Sequence, residues 1–422
     1  MSHRTSAPPP LDQARERAPA ALGTFAALSY PNYRLWFFGQ MVSLFGTWMQ
    51  ITALGYLVYE LTRSPAYLGY TGFASGLASW LFTLWGGVAA DRVPRRSLLV
   101  VTQVLSMLLA FVLSALAFAG VVAPWQIIVL AFLLGVVNAF DAPARQAFVL
   151  EMVDRTVLTN AIALNSTMFN IAIAVGPAAG GVVYALFGPA WCFAINGISF
   201  VAVIGALLAM RLPAPPAPAS RASALADIRE GFRVVWGNRV ILALIALIGV
   251  MSLFGMSFAT LIPAWAVKIL GGDARTNGLL QSARGLGALA AGLGIATIGG
   301  RIRRGRLLVG GSLAFPVVLV LFSFTRALPL SLLTLGAVGA AMITVMNLCN
   351  SLVQALTPDA VRGRVMGLYT WVFFGFMPLG ALLAGTAAEY LGEHVTVALG
   401  AAATLACSAA IALLVPRLRS LD

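Results

Sequence analysis

The stretch Gly86-Gly87-Val88-Ala89-Ala90-Asp91-Arg92-Val93-Pro94-Arg95-Arg96 is a short charged turn held between two long apolar runs, residues 68–89 and 98–119. Asp91, Arg92, Arg95 and Arg96 cannot sit in hydrocarbon cheaply. Each flanking run has about the 20 residues that cross a bilayer as a helix. The turn therefore marks one face of a membrane, and the chain enters and leaves the bilayer on either side of it.

Composition extends that reading to the whole chain. Of 422 residues, 60% are hydrophobic and 10% charged, and the mean hydropathy is +0.91. A water-soluble domain covers its surface with about a quarter charged residues, so most of this surface faces lipid. A net charge of +13 would suggest a nucleic-acid partner in a soluble chain. Here the arginines fall in short breaks between apolar runs, which is the pattern of a polytopic protein with its positive loops inside, so no nucleic acid is expected. Cys192, Cys349 and Cys407 lie in apolar runs without metal or disulfide spacing, and His3 and His394 sit in a tail and a loop. That argues against a metal centre, a cofactor site or a Ser-His-Asp constellation, and so against an enzyme.

Apolar runs recur along the chain as twelve expected spans of roughly 20 residues each. The first six cover residues 35–59, 68–89, 98–119, 125–143, 161–186 and 191–210; the second six cover 240–266, 277–299, 307–325, 329–354, 362–387 and 395–415. The expected organisation is a disordered N-terminal tail (residues 1–30), an N-terminal six-helix bundle (31–212), a linker (213–238), a C-terminal six-helix bundle (239–417) and a short tail (418–422). The linker opens with Pro213, Pro215, Pro216 and Pro218. It then reads as a short amphipathic helix from Ala224 to Trp236, with Arg229 and Arg233 at the headgroups. With the N-terminus inside, 22 of the 27 Lys and Arg residues fall on the inner side, against Arg63, Lys268, Arg275 and Arg326 outside and Arg284 within a span. Both termini and the linker are thus expected in the cytoplasm of a plasma (inner) membrane.

The halves echo each other, as in two-bundle transporters. Gly299-Gly300-Arg301-Ile302-Arg303-Arg304-Gly305-Arg306 repeats the glycine and arginine character of the hub without its aspartate. The inner ends of spans four and ten both turn polar, with Asn138, Asp141, Arg145 and Gln146 in one and Asn347, Asn350, Ser351 and Gln354 in the other. In span one, Gln40, Ser43, Thr47 and Gln50 recur at i, i+3, i+7 and i+10, a single polar face that looks into a wet cavity or onto another helix; as a row it favours a substrate cavity, for which Asn138, Asn347 and Asn350 are further candidates. Trp48 and Trp371 fall mid-span, available either to stack on an aromatic substrate or to pack the core. Arg284 is the one cation inside a span, with Gln281 one turn away. Facing a cavity it would favour anionic or polar substrates; otherwise it snorkels outward. Glu60, at the outer end of span one, is a possible proton relay. Gly176, Pro177, Gly180 and Gly181 in span five specify close packing at a kink.

Several of these motifs resemble those of the major facilitator superfamily. Gly87, Asp91, Arg92, Arg95 and Arg96 match its signature loop between the second and third spans, with Pro94 where the family usually has glycine. The Gly-Pro-x-x-Gly-Gly run at Gly176 is similar to an element carried by the superfamily's exporters and generally lacking in importers; Ala172 replaces its usual leading glycine. Residues 43–50, 90–96, 140–147, 160–166 and 358–365 look like the enterobactin-exporter-like branch. Members of that branch export siderophores, macrolides and other drugs, commonly driven by protons. The resemblance implies an all-α membrane protein of twelve helices in two six-helix bundles, acting as a monomeric exporter of a small amphipathic compound in exchange for protons. It also implies that Asp91, Arg95 and Asp141 latch the halves together at the inner face in the outward-facing state, with Asp91, Asp141 and Glu60 as proton-coupling candidates. Thr357-Pro358-Asp359 reads as the capped start of span eleven, whose dipole would attract Asp91 by about 1 kcal/mol. An importer or uniporter of a polar solute, or a sensor or scaffold without transport, are the competing readings.

Overall fold

The structure, a computed structural model, describes residues 25–211, 224–298, 303–359 and 361–421. The expected tail before residue 25, the linker prolines, Arg221 and residues 299–302 lie outside the described residues, as does the side chain of Arg229. Among the described residues thirteen helices follow one another: α1 (Pro31–Thr62), α2 (Pro65–Arg92), α3 (Arg95–Phe118), α4 (Pro124–Met152), α5 (Leu158–Phe187), α6 (Pro189–Ala209), α7 (Ala224–Gly237), α8 (Arg239–Ile269), α9 (Ala274–Ile298), α10 (Arg304–Ser323), α11 (Leu328–Leu356), α12 (Arg362–Leu391) and α13 (Glu393–Leu414). Eleven of them are long and apolar enough to cross a membrane. The two that fall short are the 14-residue linker helix α7 and α9, the expected eighth span; α9 is the informative one. At 25 residues it has the length, but Arg275, Asn277, Gln281 and Arg284 dilute its apolarity.

Local chemistry sets the helix ends. Proline occupies the first turn of α1, α2, α4, α6 and α11, where its missing amide costs nothing. Asn238 caps α8 by accepting from the amides of Val240 (3.0 Å) and Ile241 (3.3 Å). Gly188 (φ +88°) turns α5 into α6 and Gly392 (φ +82°) turns α12 into α13, the same device at corresponding places in the two halves. Thr357 is not the N-cap expected for span eleven. It closes α11 with its hydroxyl on the Val353 carbonyl (2.6 Å), and α12 starts at Arg362, which pairs with Asp359.

Antiparallel neighbours bring the start of α1 and the ends of α4 and α6 to one end of the molecule. There Tyr30 donates to Asp154 (2.7 Å) and Asn32 donates to the Arg211 carbonyl (2.9 Å). This is the arginine-rich end; the turns α1–α2, α5–α6, α8–α9 and α12–α13 form the arginine-poor end. Helices α1–α6 share a core around Tyr33, Trp36, Phe148 and Leu207. Helices α8–α13 share another around Leu244, Met251, Phe315 and Val353, where Trp265 stacks on Phe322 with centroids 4.5 Å apart. The linker helix α7 docks on the start of α12, where Arg364 donates to Glu230 at 2.6 Å.

One expected span is not a uniform helix. In α8 the regular turns stop at Val250 and give way to a π-helical turn (Met251–Gly255), a 3₁₀ turn (Ser257–Leu261) and a second π-helical turn (Trp265–Ile269). Gly255 and Pro263 are the residues that permit the break. The backbone stays buried in protein there, with the Ser252 hydroxyl donating to the Phe373 carbonyl of α12 (2.6 Å).

The glycine pair that opens the hub has two different environments. A Cβ on Gly86 would lie 2.0 Å from the Ala139 carbonyl oxygen of α4, whereas one on Gly87 meets nothing within 4 Å. Gly86→Ala should therefore lower stability by about 1–3 kcal/mol through overpacking. Gly87→Ala should be neutral or slightly stabilising, since alanine is the better helix former. Thermal unfolding of the purified protein in detergent checks the pair, with Gly86→Ala melting clearly below Gly87→Ala.

Candidate functional site

Two seams of close backbone approach join the halves, both at the arginine-poor end. In the first, α5 lies between α1 and α9. Gly176 and Gly180 sit against Trp48 and Met49 of α1, while Gly181 sits against Ala274 and Gly278 of α9. Pro177 has no amide to offer the Ile173 carbonyl, and Gly285 of α9 packs onto that carbonyl instead. The Ala178 amide donates across the seam to Ser282 Oγ (2.9 Å), and Asn277 Nδ2 donates to the Thr52 carbonyl of α1 (3.3 Å). In the second seam, Gly69 meets Ala381 and Gly385 of α12 and Gly76 meets Pro378. Glu389 of α12 accepts from Ser64 Oγ (2.6 Å) and the Ala66 amide (3.3 Å) at the start of α2. This seam reaches mid-helix, where Trp80 and Trp371 face each other with centroids 5.3 Å apart.

Toward the arginine-rich end the surface changes. Ile162 and Phe169 of α5 are 53% and 44% exposed. They lie about 140–180° round the helix from the exposed Ile171 and Val182, on the face that carries Gly176. Opposite faces of α5 thus both carry exposed apolar side chains, the pattern of a helix with lipid on one side and an opening between the halves on the other. Asn138 is likewise exposed, about 140–180° from the apolar stripe of Val129 and Leu133 on α4.

Asp141, Arg145, Arg95 and Arg96 find partners within the first half. Asp141 is buried; it accepts from Thr102 Oγ1 (3.0 Å) and Gln103 Nε2 (2.7 Å) and pairs with Arg145 one turn on. Arg95 donates to Glu151 at 2.6 Å, and Arg96 donates to the Leu208 carbonyl at 2.7 Å. Asp91 and Arg92 are exposed on the last turn of α2. The structure thus does not bring Asp91, Arg95 and Asp141 into one cluster. Glu151, Thr102 and Gln103 are absent from the residues expected from sequence; an acid closing a span beside an arginine-rich turn was the readable signal for Glu151.

The polar face of α1 turns largely inward. Gln50 accepts from Asn196 Nδ2 of α6 (2.7 Å), Thr47 donates to the Ser43 carbonyl (2.9 Å), and Ser43 and Gln40 are buried. Trp48 packs edge-on with Phe169, centroids 5.8 Å apart. Glu60 accepts from the Tyr184 hydroxyl. Gln281 is buried and Arg284 partly buried on α9; Asn347 is exposed, and Asn350 accepts from Gln354. Trp371, 46% exposed, also lines an apolar groove of about 380 Å³ with Phe232 and Trp236 of α7 and Ile245 and Gly249 of α8. That groove is lined by residues of the second half and its linker helix.

A family model described as transmembrane secretion effector matches residues 22–422. The chain belongs to that family, within the major facilitator superfamily of transporters. Multidrug efflux pump Tap of Mycolicibacterium fortuitum is 28% identical over 387 residues, covering 89% of this chain and 94% of that protein. The staphyloferrin A transporter of Staphylococcus aureus is 26% identical, covering 85% and 90%. The enterobactin exporter EntS of Citrobacter koseri is 26% identical, covering 85% of each. Among solved structures, a bacterial homologue of the human lysosomal transporter Spinster superposes with a TM-score of 0.68 at 15% identity, covering 93% of this chain and 98% of that one. The family assignment makes this transmembrane secretion effector a multi-pass transporter rather than an enzyme.

Because Asp141 is the counter-ion of a largely buried arginine, Asp141→Asn should destabilise the protein by about 3–5 kcal/mol. Arg95→Gln, which breaks a pair exposed by 26% and 23%, should cost about 1 kcal/mol or less. Comparative melting of the two variants in detergent checks the order.

Proposed function

We propose that the protein is a secondary active exporter of small amphipathic organic compounds, drug-like or siderophore-like, driven by proton exchange and working by alternating access. In this reading α9 also spans the membrane and brings the spans to twelve, the protein works as a monomer in the plasma (inner) membrane, and both termini and α7 lie in the cytoplasm. The single observation that carries the reading is the position of the seams. The halves are held together at the arginine-poor end, and a crevice opens toward the arginine-rich end. The excess of arginine at the open end supports a cytoplasmic position for it, so the conformation is inward-open and ready to load an export substrate. Glycine seams suit rocking, because they bring backbones together without interlocking side chains that would have to unpack.

Similarity to a multidrug efflux pump and to siderophore transporters supports export, as does the Gly176-Pro177 element in the first seam. Proton coupling draws on the carboxylates placed to respond: Asp91 on the surface of the hub, Glu60 on Tyr184 and Asp141 on Arg145. Protonating Asp141 would strip Arg145 of its counter-charge and loosen α4 from α3, a change of shape paid in the same currency as the transport cycle.

Inside-out vesicles loaded acidic and given a fluorescent drug should accumulate it against its gradient. Nigericin, which collapses the pH difference, should abolish uptake, and Asp91→Asn should reduce it at least several-fold with insertion intact. Uptake continuing at the same rate after nigericin would exclude proton coupling, and accumulation by right-side-out vesicles instead would reverse the direction.

A further inference from the structure

We propose that Arg284 is the anion-binding residue of the crevice and that the compounds carried bear a carboxylate on an aromatic body; its role in the cell rests on the transporter reading above. The argument begins with the direction in which α9 presents each residue. Leu279, Leu286 and Leu293, 43%, 55% and 58% exposed, form its lipid-facing stripe. Gly278 and Gly285 fix the side against α5, and Gly287 packs onto the Gly336 carbonyl of α11 on the other. Gly339 of α11 packs onto the Arg284 carbonyl. At about 100° per residue, Arg284 lies some 140–160° from Leu279 and Leu286, so it stands at the edge of the α11 contact, on the side away from lipid and next to Asn277. Asn277 and Gln281 share that face, and Asn277 already reaches across it to Thr52 of the first half. Arg284 therefore points between the halves. It also sits ten residues into α9, about 15 Å from the helix start, too far for its guanidinium to reach the arginine-poor surface.

Among the described residues no acid is available to it. In residues 239–417 the acids are Asp273, Asp359, Glu389 and Glu393, all at span ends. Glu389 is taken by Ser64 and Ala66, Glu393 by Lys268 (3.1 Å) and Asp359 by Arg362. Across the crevice, Asp141 is engaged by Arg145, Thr102 and Gln103. Arg284 makes no hydrogen bond or ion pair among the described residues. A cation in a membrane-spanning helix without a protein counter-charge is a site for a charge that arrives with the ligand. A guanidinium presents the planar fork that suits a carboxylate.

The neighbouring wall says what the rest of the ligand is. Gly285 packs on Ile173, and one turn from Ile173 toward the open end Phe169 is 44% exposed and packed edge-on with Trp48. Aromatic faces beside a lone guanidinium fit a ring carrying an acid. Gln281, one turn above, is the adjacent polar group for a ring hydroxyl.

The test uses 3-hydroxy-2-naphthoate and 2-naphthoate, each paired with its carboxamide, binding to purified full-length protein in nanodiscs. Wild type should bind at least one acid about 10-fold or more tighter than its amide. Arg284→Gln should erase that preference by weakening acid binding at least several-fold more than amide binding, and Arg284→Lys, a point charge without the fork, should keep part of it. If Arg284→Gln fails to insert, the partial loss in Arg284→Lys carries the result. Acid preference unchanged in the variants, or absent from wild type, overturns the proposal. Uphill export of a neutral dye without any acid preference would sink the anion site and leave the exporter reading standing. Acid binding that depends on Arg284, with no uphill transport of any probe, would do the reverse.

Discussion

Everything in this molecule depends on two backbones touching inside a lipid bilayer. Lipid tails are as apolar as leucine, so no hydrophobic force presses one half against the other, and packing has to do it. Glycine makes that packing possible by letting helix axes approach until carbonyls meet Cα atoms, as at Gly278 with Pro177 and Gly385 with Gly69. Because both seams lie at the same end, the far ends of the helices are free to diverge. The crevice follows from where the glycines are, and so does the rotation of α9: once Gly278, Gly285 and Gly287 have chosen their neighbours, the direction of Arg284 is no longer free.

The first half shows a different use of close contact. Its charges near the arginine-rich end are neutralised locally, Arg95 by Glu151 and Arg145 by Asp141, so that α3 and α4 are tied to each other. Asp141 illustrates what burial demands of a carboxylate: three donors from two helices satisfy it. The second half carries its irregularity in α8 instead, where two π-helical turns and Pro263 interrupt a span lying against α12 and α13. A rigid block opposite a half with an interrupted helix gives a two-bundle machine one member that can flex locally while the other rocks.

Much of this was readable from residues alone, and the reasons for the exceptions are physical. The alternation of apolar runs with arginine turns specifies spans because the cost of charge in hydrocarbon is large and local. α7, Ala224–Gly237, announced itself by amphipathic spacing for the same reason. Pairings between distant residues were not readable. Nothing in the spacing of Arg95 and Glu151, or of Gln50 and Asn196, says that they meet, since that depends on the rotation of helices fixed by glycines elsewhere. The row Gln40, Ser43, Thr47 and Gln50 reads as a cavity lining yet turns largely onto protein, because a wet space and a polar neighbour satisfy the same groups. The Thr357 cap misled because Thr-Pro-Asp has capping chemistry whether or not a helix follows at once; here the chain spends Thr357 on closing α11.

The contrast between the two buried arginines bears on how loading could be linked to movement. Arg145 has its carboxylate in the same helix, so its cost is the same whichever way the halves tilt. Arg284 has none among the described residues, and while the crevice is open, water can solvate what the protein leaves bare. Closing the crevice would remove that water and strand a cation in a low-dielectric space, a penalty of several kcal/mol in real proteins. A ligand carboxylate cancels that penalty, so an empty carrier would resist closure and a loaded one would not. On the proposed assignment, the missing acid in the second half is thus the device that makes the change of shape conditional on the cargo.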